Sequence, residues 1–164
     1  MSRTFPLAFG CMQFGGRADE AASRAMYDAA RAAGVTEFDT AHGYTEGNSE
    51  RLLGRFAKGD DAVRIATKVG YEGGSGRANL SAQFSQSLQR LGVDKVDLLY
   101  LHRFDPATSL EETIGLLVEW QLAGRIDRIG VSNFAAWQVM KAQAVAARFG
   151  SRIDVIQPMY NLVK

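Results

Sequence analysis

Three side chains that can hold or exchange a proton stand at the ends of short apolar runs. Asp39, Lys68 and His102 each close a run rich in Val, Ile, Leu or Phe. A carboxylate, an ammonium and an imidazole together are suited to acid–base chemistry on a bound small molecule. Each residue alone has a structural explanation: a turn residue, a solvated strand end and a core histidine. Because all three hold the same position in successive runs, the chemical interpretation is favoured.

Tyr44 stands five residues after Asp39, in the loop that leaves the same run. A free phenol has a pKa of ~10, too high for easy proton exchange near neutrality. A nearby ammonium favours the phenolate and lowers that pKa. We therefore expect Asp39 to hold Lys68 beside Tyr44, and the pKa of Tyr44 to fall. If His102 is neutral, it could polarise a carbonyl oxygen, so the set suits carbonyl reduction, in which oxygen gains a proton as carbon gains hydride.

Hydroxyl and amide side chains follow two later apolar runs. Ser132 and Asn133 follow the fifth run, and Gln157 follows the sixth. An amide can both donate and accept hydrogen bonds, which suits the recognition of a polar ligand. Polar residues at the ends of apolar runs therefore continue into the second half of the chain.

The runs themselves predict an alternation of strands and helices. The six predicted strands span residues 7–11, 35–39, 63–68, 96–102, 128–132 and 153–157. Five amphipathic stretches between them predict helices. Their predicted start signals are Asp19, Ser49, Asn79, the pair Ser109 and Glu112 at capping-box spacing, and Ala135.

Strand starts recur every ~25–33 residues, which is the size of one βαβ unit. Repeated units imply a parallel sheet, either a (β/α) barrel or an open doubly wound sheet. The glycines at 73, 74 and 76 follow the third strand, whereas a dinucleotide fingerprint lies between the first strand and the first helix. This position weakens the doubly wound alternative. In either fold the carboxyl ends of the strands open onto one face, where the polar row should converge.

Composition limits the classes of function. The 164 residues carry 19 Lys and Arg against 18 Asp and Glu, with no basic cluster, so we expect no nucleic-acid partner. No apolar run approaches the ~18 residues that span a membrane, so we expect no membrane partner. Cys11 is the single cysteine and cannot form an internal disulfide, which favours the cytoplasm. We expect Cys11 to be a small core residue and His42 to make a loop hydrogen bond.

Several segments of the chain resemble motifs of the aldo-keto reductase family. FDTAHGY followed by SERLLG resembles the segment around the catalytic Asp and Tyr, and IATK resembles the strand of the catalytic Lys. VDLLYLHRFD resembles the strand that ends in the catalytic His. GRIDRIGVSNF and IDVIQPMYN resemble the fifth and sixth strands. Order and spacing agree over essentially all 164 residues.

The resemblance implies a (β/α)8 TIM barrel and a reaction that reduces a small-molecule carbonyl substrate with NADP(H). Tyr44 would be the general acid, Asp39 and Lys68 would tune it, and His102 would orient the carbonyl. No metal is implied. All four residues are present.

The same resemblance implies a site for the nicotinamide end of the cofactor. Ser132, Asn133 and Gln157 would hold the carboxamide. Asp39 would lie near the nicotinamide ribose, and Met12, after the first strand, would line the nicotinamide pocket.

The chain reaches Lys164 just past the sixth predicted strand, whereas a full barrel takes ~250 residues. We therefore expect residues 1–164 to form an aldo-keto reductase domain truncated after about six βα units, within a longer protein. Two strands would keep open edges, through which the chain could self-associate. Two other functions stay open: a non-catalytic binding subunit on the same fold, as in the potassium-channel β subunits that resemble this family, and an inactive fragment.

Overall fold

The computed structural model describes residues 7–160, so Lys164 lies outside the described part. Six strands alternate there with five α-helices and one short 3₁₀ helix. The strands are β1 (Ala8–Gly10), β2 (Glu37–Asp39), β3 (Arg64–Val69), β4 (Val96–Leu101), β5 (Ile126–Ser132) and β6 (Val155–Gln157). The α-helices are α1 (Glu20–Ala32), α2 (Asn48–Ala57), α3 (Arg77–Leu91), α4 (Leu110–Leu122) and α5 (Ala136–Arg148). The 3₁₀ helix is Tyr44–Gly47, immediately before α2.

All six strands belong to one parallel sheet, and each strand pairs with the next one along the chain. A doubly wound sheet reverses its strand order at a switch point. An unbroken order β1 to β6 is instead the order of a (β/α) barrel. The predicted barrel class is therefore confirmed.

Side-chain contacts between distant strands show that the sheet curls. In a flat sheet β2 and β6 would lie about 19 Å apart, at ~4.8 Å per strand. The Nε2 atom of Gln157 in β6 nevertheless lies 3.2 Å from Oδ2 of Asp39 in β2. Arg128 in β5 likewise pairs with Glu37 in β2 at 3.1 Å. The six strands thus form the curved part of a barrel, with these side chains inside.

The two faces of the curled sheet carry different side chains. Because side chains alternate along a strand, every second residue faces the helices. That outer face contributes to the main core, together with apolar residues of the helices. The inner face holds a smaller cluster of Ala66, Leu98 and Tyr100, with Val155 against it. A Cβ at Gly130 would overlap the ring of Tyr100, so glycine in β5 makes room for the tyrosine inside the barrel.

Two helix starts differ from the prediction. Helix α2 begins at Asn48, after Gly47 in the left-handed region, and the hydroxyl of Ser49 donates to the carbonyl of Cys11 at 2.7 Å instead of capping the helix. Helix α3 begins at Arg77, and the amide of Asn79 donates to the carbonyls of Glu72 and Gly74 in the preceding loop. In both cases another hydrogen-bond partner, distant for Ser49 and in the adjoining loop for Asn79, competes with the helix cap. The caps predicted at Asp19 and Ser109 are confirmed.

Within residues 7–160, none of the helices combines the length and the apolar character that a membrane crossing requires.

Candidate active site

The side chains that end β2 and β3 meet inside the barrel. The side chain of Lys68 is 1% exposed. Its ammonium donates to the carboxylate of Asp39 and to the backbone carbonyl of Thr40, the latter at 2.9 Å. Its nitrogen lies 3.4 Å from the phenol oxygen of Tyr44. Lysine has three N–H donors, and these three contacts account for all of them. Lys68 is therefore held between the carboxylate and the phenol, as the sequence predicts.

The loop that presents Tyr44 has an unusual backbone. Thr45 and Glu46 have φ angles of 48° and 57°, and Gly47 has a φ of 82°. Non-glycine residues adopt this region rarely and at some cost in energy. The hydroxyl of Thr45 compensates in part, because it donates to the carbonyl of Phe14 at 2.7 Å. The loop is thereby attached to the segment that follows β1.

The predicted fall in the pKa of Tyr44 is wrong. Burial, together with the nearby Asp39 and Tyr71, raises the pKa of Tyr44 to about 12. Burial disfavours the phenolate, and the nearby carboxylate of Asp39 disfavours it further. The phenol therefore keeps its proton at neutral pH.

The Asp39–Lys68 pair is itself shifted by burial. Burial raises the pKa of Asp39 above its usual value, although the contacts with Lys68 and Gln157 act in the opposite direction. Burial lowers the pKa of Lys68, and Asp39 opposes that change. Each partner thus depends on the other for its charge in this enclosed position.

His102 follows β4 and is buried beside Tyr44. Its ring lies edge-on to the Tyr44 ring, with centroids 5.6 Å apart, and 4.8 Å from the ring of Tyr71. Burial, and then the cations of Lys68 and Arg103, lower the pKa of His102 to about 4. The imidazole is therefore neutral near pH 7, which is the state that can hydrogen-bond a carbonyl oxygen without adding a charge.

A cavity of about 310 Å³ opens over these groups. Side chains from the strand ends, the following loops and α3 line it: Met12, His42, Tyr44, Lys68, Tyr71, Glu72, Gln83 and His102. Tyr71 and Gln83 were not among the predicted site residues. Tyr71 could have been noticed as an aromatic residue three positions after Lys68, whereas Gln83 carries no local signal.

Gln157 and Ser132, from β6 and β5, connect to the Asp39–Lys68 pair. Gln157 donates to Asp39, and the hydroxyl of Ser132 donates to the backbone carbonyl of Gln157 at 3.2 Å. The amide of Asn133 donates to the backbone carbonyl of His102 at 2.9 Å. The predicted polar residues are thus brought together at one rim.

The amides of Asn133 and Gln157 each keep a polar group without a partner in the described part of the chain. Among the described residues, Oδ1 of Asn133 accepts no hydrogen bond, and Gln157 uses one of its two amide hydrogens. One unused acceptor and one unused donor are the chemical groups that a carboxamide ligand needs from its site.

The structure also shows the surroundings of three further residues singled out in the sequence, Met12, His42 and Cys11. Met12 is half exposed and lines the cavity. His42 also lines the cavity, and its hydrogen bond reaches helix α3 and not the loop, with its Nε2 3.0 Å from Oε1 of Gln86. Cys11 is fully buried in the core, as expected, and burial raises its pKa, which keeps the thiol unreactive.

Residues 7–160 contain no group of three or more His, Cys, Asp or Glu side chains placed to hold a metal ion.

Comparison with known proteins gives similarity along nearly the whole chain. The profile described as "Aldo/keto reductase family" matches residues 6–164. The chain is 36% identical over 159 residues to the Aflatoxin B1 aldehyde reductase member 2 of Mus musculus, covering 93% of this chain and 43% of that protein. It is 38% identical over 169 residues to the Aflatoxin B1 aldehyde reductase member 4 of Homo sapiens, covering 98% and 51%.

A bacterial protein gives a similar match. The chain is 36% identical over 165 residues to the Aldo-keto reductase YhdN of Bacillus subtilis, covering 94% of this chain and 48% of that protein. The chain thus spans about half the length of the curated relatives it matches. Because the family profile extends over nearly all its residues, and the strand order is that of the family's barrel, the chain belongs to the aldo-keto reductase family.

Proposed function

We propose that the protein carrying this chain reduces aldehyde or ketone groups to alcohols with NADP(H) as hydride donor. The observation that carries the proposal is the contact of Lys68 with both Asp39 and Tyr44, beside a neutral His102, at the wall of one cavity. Family membership and relatives whose printed names are aldehyde reductases support the same class of reaction.

Tyr44 acts as the proton donor in this proposal. Lys68 donates to the phenol oxygen, so the hydrogen of that oxygen is free to be donated to a substrate. At neutral pH the phenol is protonated, since its pKa is raised to about 12. It can give up that proton as the carbonyl oxygen becomes a strongly basic alkoxide. Asp39 keeps Lys68 charged and in place.

His102 orients the substrate. A neutral imidazole can direct an N–H group at a carbonyl oxygen, which fixes the oxygen near Tyr44 and polarises the C=O bond. The neighbouring rings of Tyr71 and Tyr44 limit how the imidazole can turn.

NADP(H), when bound, supplies the hydride. Asn133 and Gln157 would bind its carboxamide with their unused acceptor and donor, and Ser132 would keep Gln157 in position. Met12, which lines the cavity, would line the nicotinamide pocket. By the resemblance to the family, Asp39 would lie near the ribose. The choice of the phosphorylated dinucleotide follows from the resemblance to the family.

The domain assignment also stays a proposal. We infer that residues 1–164 are the first part of an aldo-keto reductase domain of the protein, and that the protein acts in the cytoplasm. The chain covers about half the length of the relatives it matches, which supports the first inference.

The first test is NADPH oxidation by the protein as its gene encodes it, with a small aldehyde as substrate. Tyr44→Phe removes one oxygen and is expected to lower kcat by ~100-fold or more, since a general acid contributes 10²–10⁴-fold. Tyr160→Phe, at an exposed tyrosine outside the site, serves as the control. Equal turnover in Tyr44→Phe and the wild type would remove Tyr44 from the mechanism.

A further inference from the structure

A polar cluster lies behind the Tyr44 loop, away from the cavity. At its centre is Glu50 of α2, whose side chain is 0% exposed. One carboxylate oxygen accepts a hydrogen bond from the hydroxyl of Thr67 at 2.7 Å, and the other lies 3.2 Å from the guanidinium of Arg90 in α3. A buried carboxylate is costly to desolvate. It stays charged in this position only because these two partners compensate that cost.

Arg90 also contacts the Tyr44 loop at two points. The same guanidinium nitrogen that faces Glu50 donates to the backbone carbonyl of His42 at 2.8 Å. The guanidinium further lies against the backbone of Gly47, where a Cβ would overlap it. These contacts stand on either side of Tyr44, so Arg90 holds the loop at both ends.

Thr67 links the cluster to the strand that carries Lys68. The two residues are adjacent in β3, and adjacent side chains of a strand point to opposite faces of the sheet. Lys68 faces the inside of the barrel, and Thr67 faces outward to Glu50. The carboxylate of Glu50 therefore joins β3, through Thr67, to the Tyr44 loop, through Arg90.

The loop needs such support because of its backbone. Thr45 and Glu46 both have positive φ angles, and strained backbone persists only when its surroundings over-determine it. The contact of Thr45 with Phe14 secures the side of the loop nearest β1. The cluster of Glu50 and Arg90 secures the side nearest α3.

We propose that Glu50 and Arg90 are positioning residues that hold the phenol oxygen of Tyr44 within bonding distance of Lys68. Neither residue lines the cavity. The proposal rests on the proposed function for its effect on turnover, but the geometry it describes can be measured separately. Loss of the cluster lets the strained loop relax and moves the phenol away from the ammonium.

The central test compares Arg90→Met with Arg31→Met in the protein as its gene encodes it. Arg31 is a matched control because it also pairs with a carboxylate, Asp60, at 2.8 Å and donates to a backbone carbonyl, that of Val35, at 2.8 Å. The two arginine side chains are 19% and 23% exposed. Arg31, however, contacts the segment that enters β2 and not the Tyr44 loop.

We expect Arg90→Met to lower kcat by about 100-fold, as for a displacement of about 1 Å at a reacting group, with little change in KM for the aldehyde. The solvent deuterium isotope effect on kcat should rise, because proton transfer from a displaced phenol becomes slower. Arg31→Met should keep the kcat and the isotope effect of the wild type, although both variants lose thermal stability.

A milder pair of variants covers the case in which Arg90→Met does not fold. Thr67→Val has nearly the shape of threonine but removes the hydroxyl that donates to Glu50. Thr67→Ser keeps that hydroxyl. We expect kcat to fall in Thr67→Val and to be largely restored in Thr67→Ser, which a purely steric role of this position would not produce.

A crystal structure of each variant separates this proposal from the proposed function. We expect the distance between Tyr44 Oη and Lys68 Nζ to exceed 3.4 Å in Arg90→Met and to stay near it in Arg31→Met. If wild-type protein shows no carbonyl reduction but the distance grows, the reaction is wrong and the positioning role stands. An unchanged distance in Arg90→Met or in Thr67→Val overturns the positioning role, whatever the turnover.

Discussion

At the scale of single residues, burial decides the protonation states of the site more than the neighbouring charges do. Burial raises the pKa of Tyr44 and lowers that of His102, so both groups are neutral near pH 7. The one full charge pair, Asp39 with Lys68, survives because each partner compensates the other. Tyr44 and His102 thus offer a proton donor and a polarising group that carry no charge of their own.

The shifted pKa of His102 predicts a dependence of stability on pH. Its folded value of about 4 lies below the ordinary value of 6.5, so the unfolded chain binds more protons between those limits. The free energy of unfolding should therefore fall as the pH is lowered from 6.5 toward 4. The contribution of His102 should reach about 2–3 kcal/mol.

Urea denaturation of wild type and His102→Asn at several pH values measures this contribution. Carboxylates contribute to both proteins alike, so the difference between the two curves reports His102. We expect the gap between the proteins to change by about 2 kcal/mol across that range. Parallel curves would mean that burial does not shift the pKa of His102.

The sequence predicted which residues lie together in the site. It did not predict their pKa values or the contacts that hold them in place. Asp39, Lys68 and His102 could be placed together because parallel strands end on one face. The pKa of Tyr44 could not be predicted, since it depends on how far the loop buries the phenol. The contact of Arg90 with Glu50, 40 residues apart, leaves no local pattern in the sequence.

At the scale of the elements, apolar runs predicted the number and order of the strands better than their ends. Strand β6 begins at residue 155 instead of 153, and β5 begins at 126 instead of 128. The early start of β5 follows from its pairing with β4, where Val96 faces Ile126. A strand ends where its neighbour stops offering hydrogen bonds, and that depends on two segments at once.

Packing between strands inside the barrel gives a further prediction. Gly130→Ala would place a methyl group where the ring of Tyr100 lies, in a small interior cluster that has little room to move. We expect a loss of about 1–3 kcal/mol in the free energy of unfolding, measured by urea denaturation.

Gly10→Ala is the matched control for that substitution. Gly10 also lies on a barrel strand, but a Cβ there would meet no atom within 4 Å. Its effect should be small. Tyr100→Leu combined with Gly130→Ala should recover part of the stability lost in Gly130→Ala, because the smaller side chain removes the overlap. Equal losses in the two glycine variants would show that the overlap with Tyr100 is not responsible.

At the scale of the whole molecule, the described strands leave two edges. Within residues 7–160, β1 pairs only with β2, and β6 pairs only with β5. Exposed strand edges offer unpaired backbone groups to other chains. Ile156, in the middle of β6, is also 55% exposed and presents an apolar side chain at that edge.

These edges predict that the 164-residue chain, prepared by itself, associates with further copies as its concentration rises. Sedimentation velocity over a range of concentrations measures this directly. Ile156→Lys places a charge on the β6 edge and should shift the distribution toward the monomer, because charged edge residues oppose strand pairing. Leu122→Lys changes a more exposed residue at the end of α4, away from either edge, and should leave the distribution as it was. If both variants behave like the unmodified chain, association through the β6 edge is excluded, and the apolar surface of that strand does not recruit a second copy.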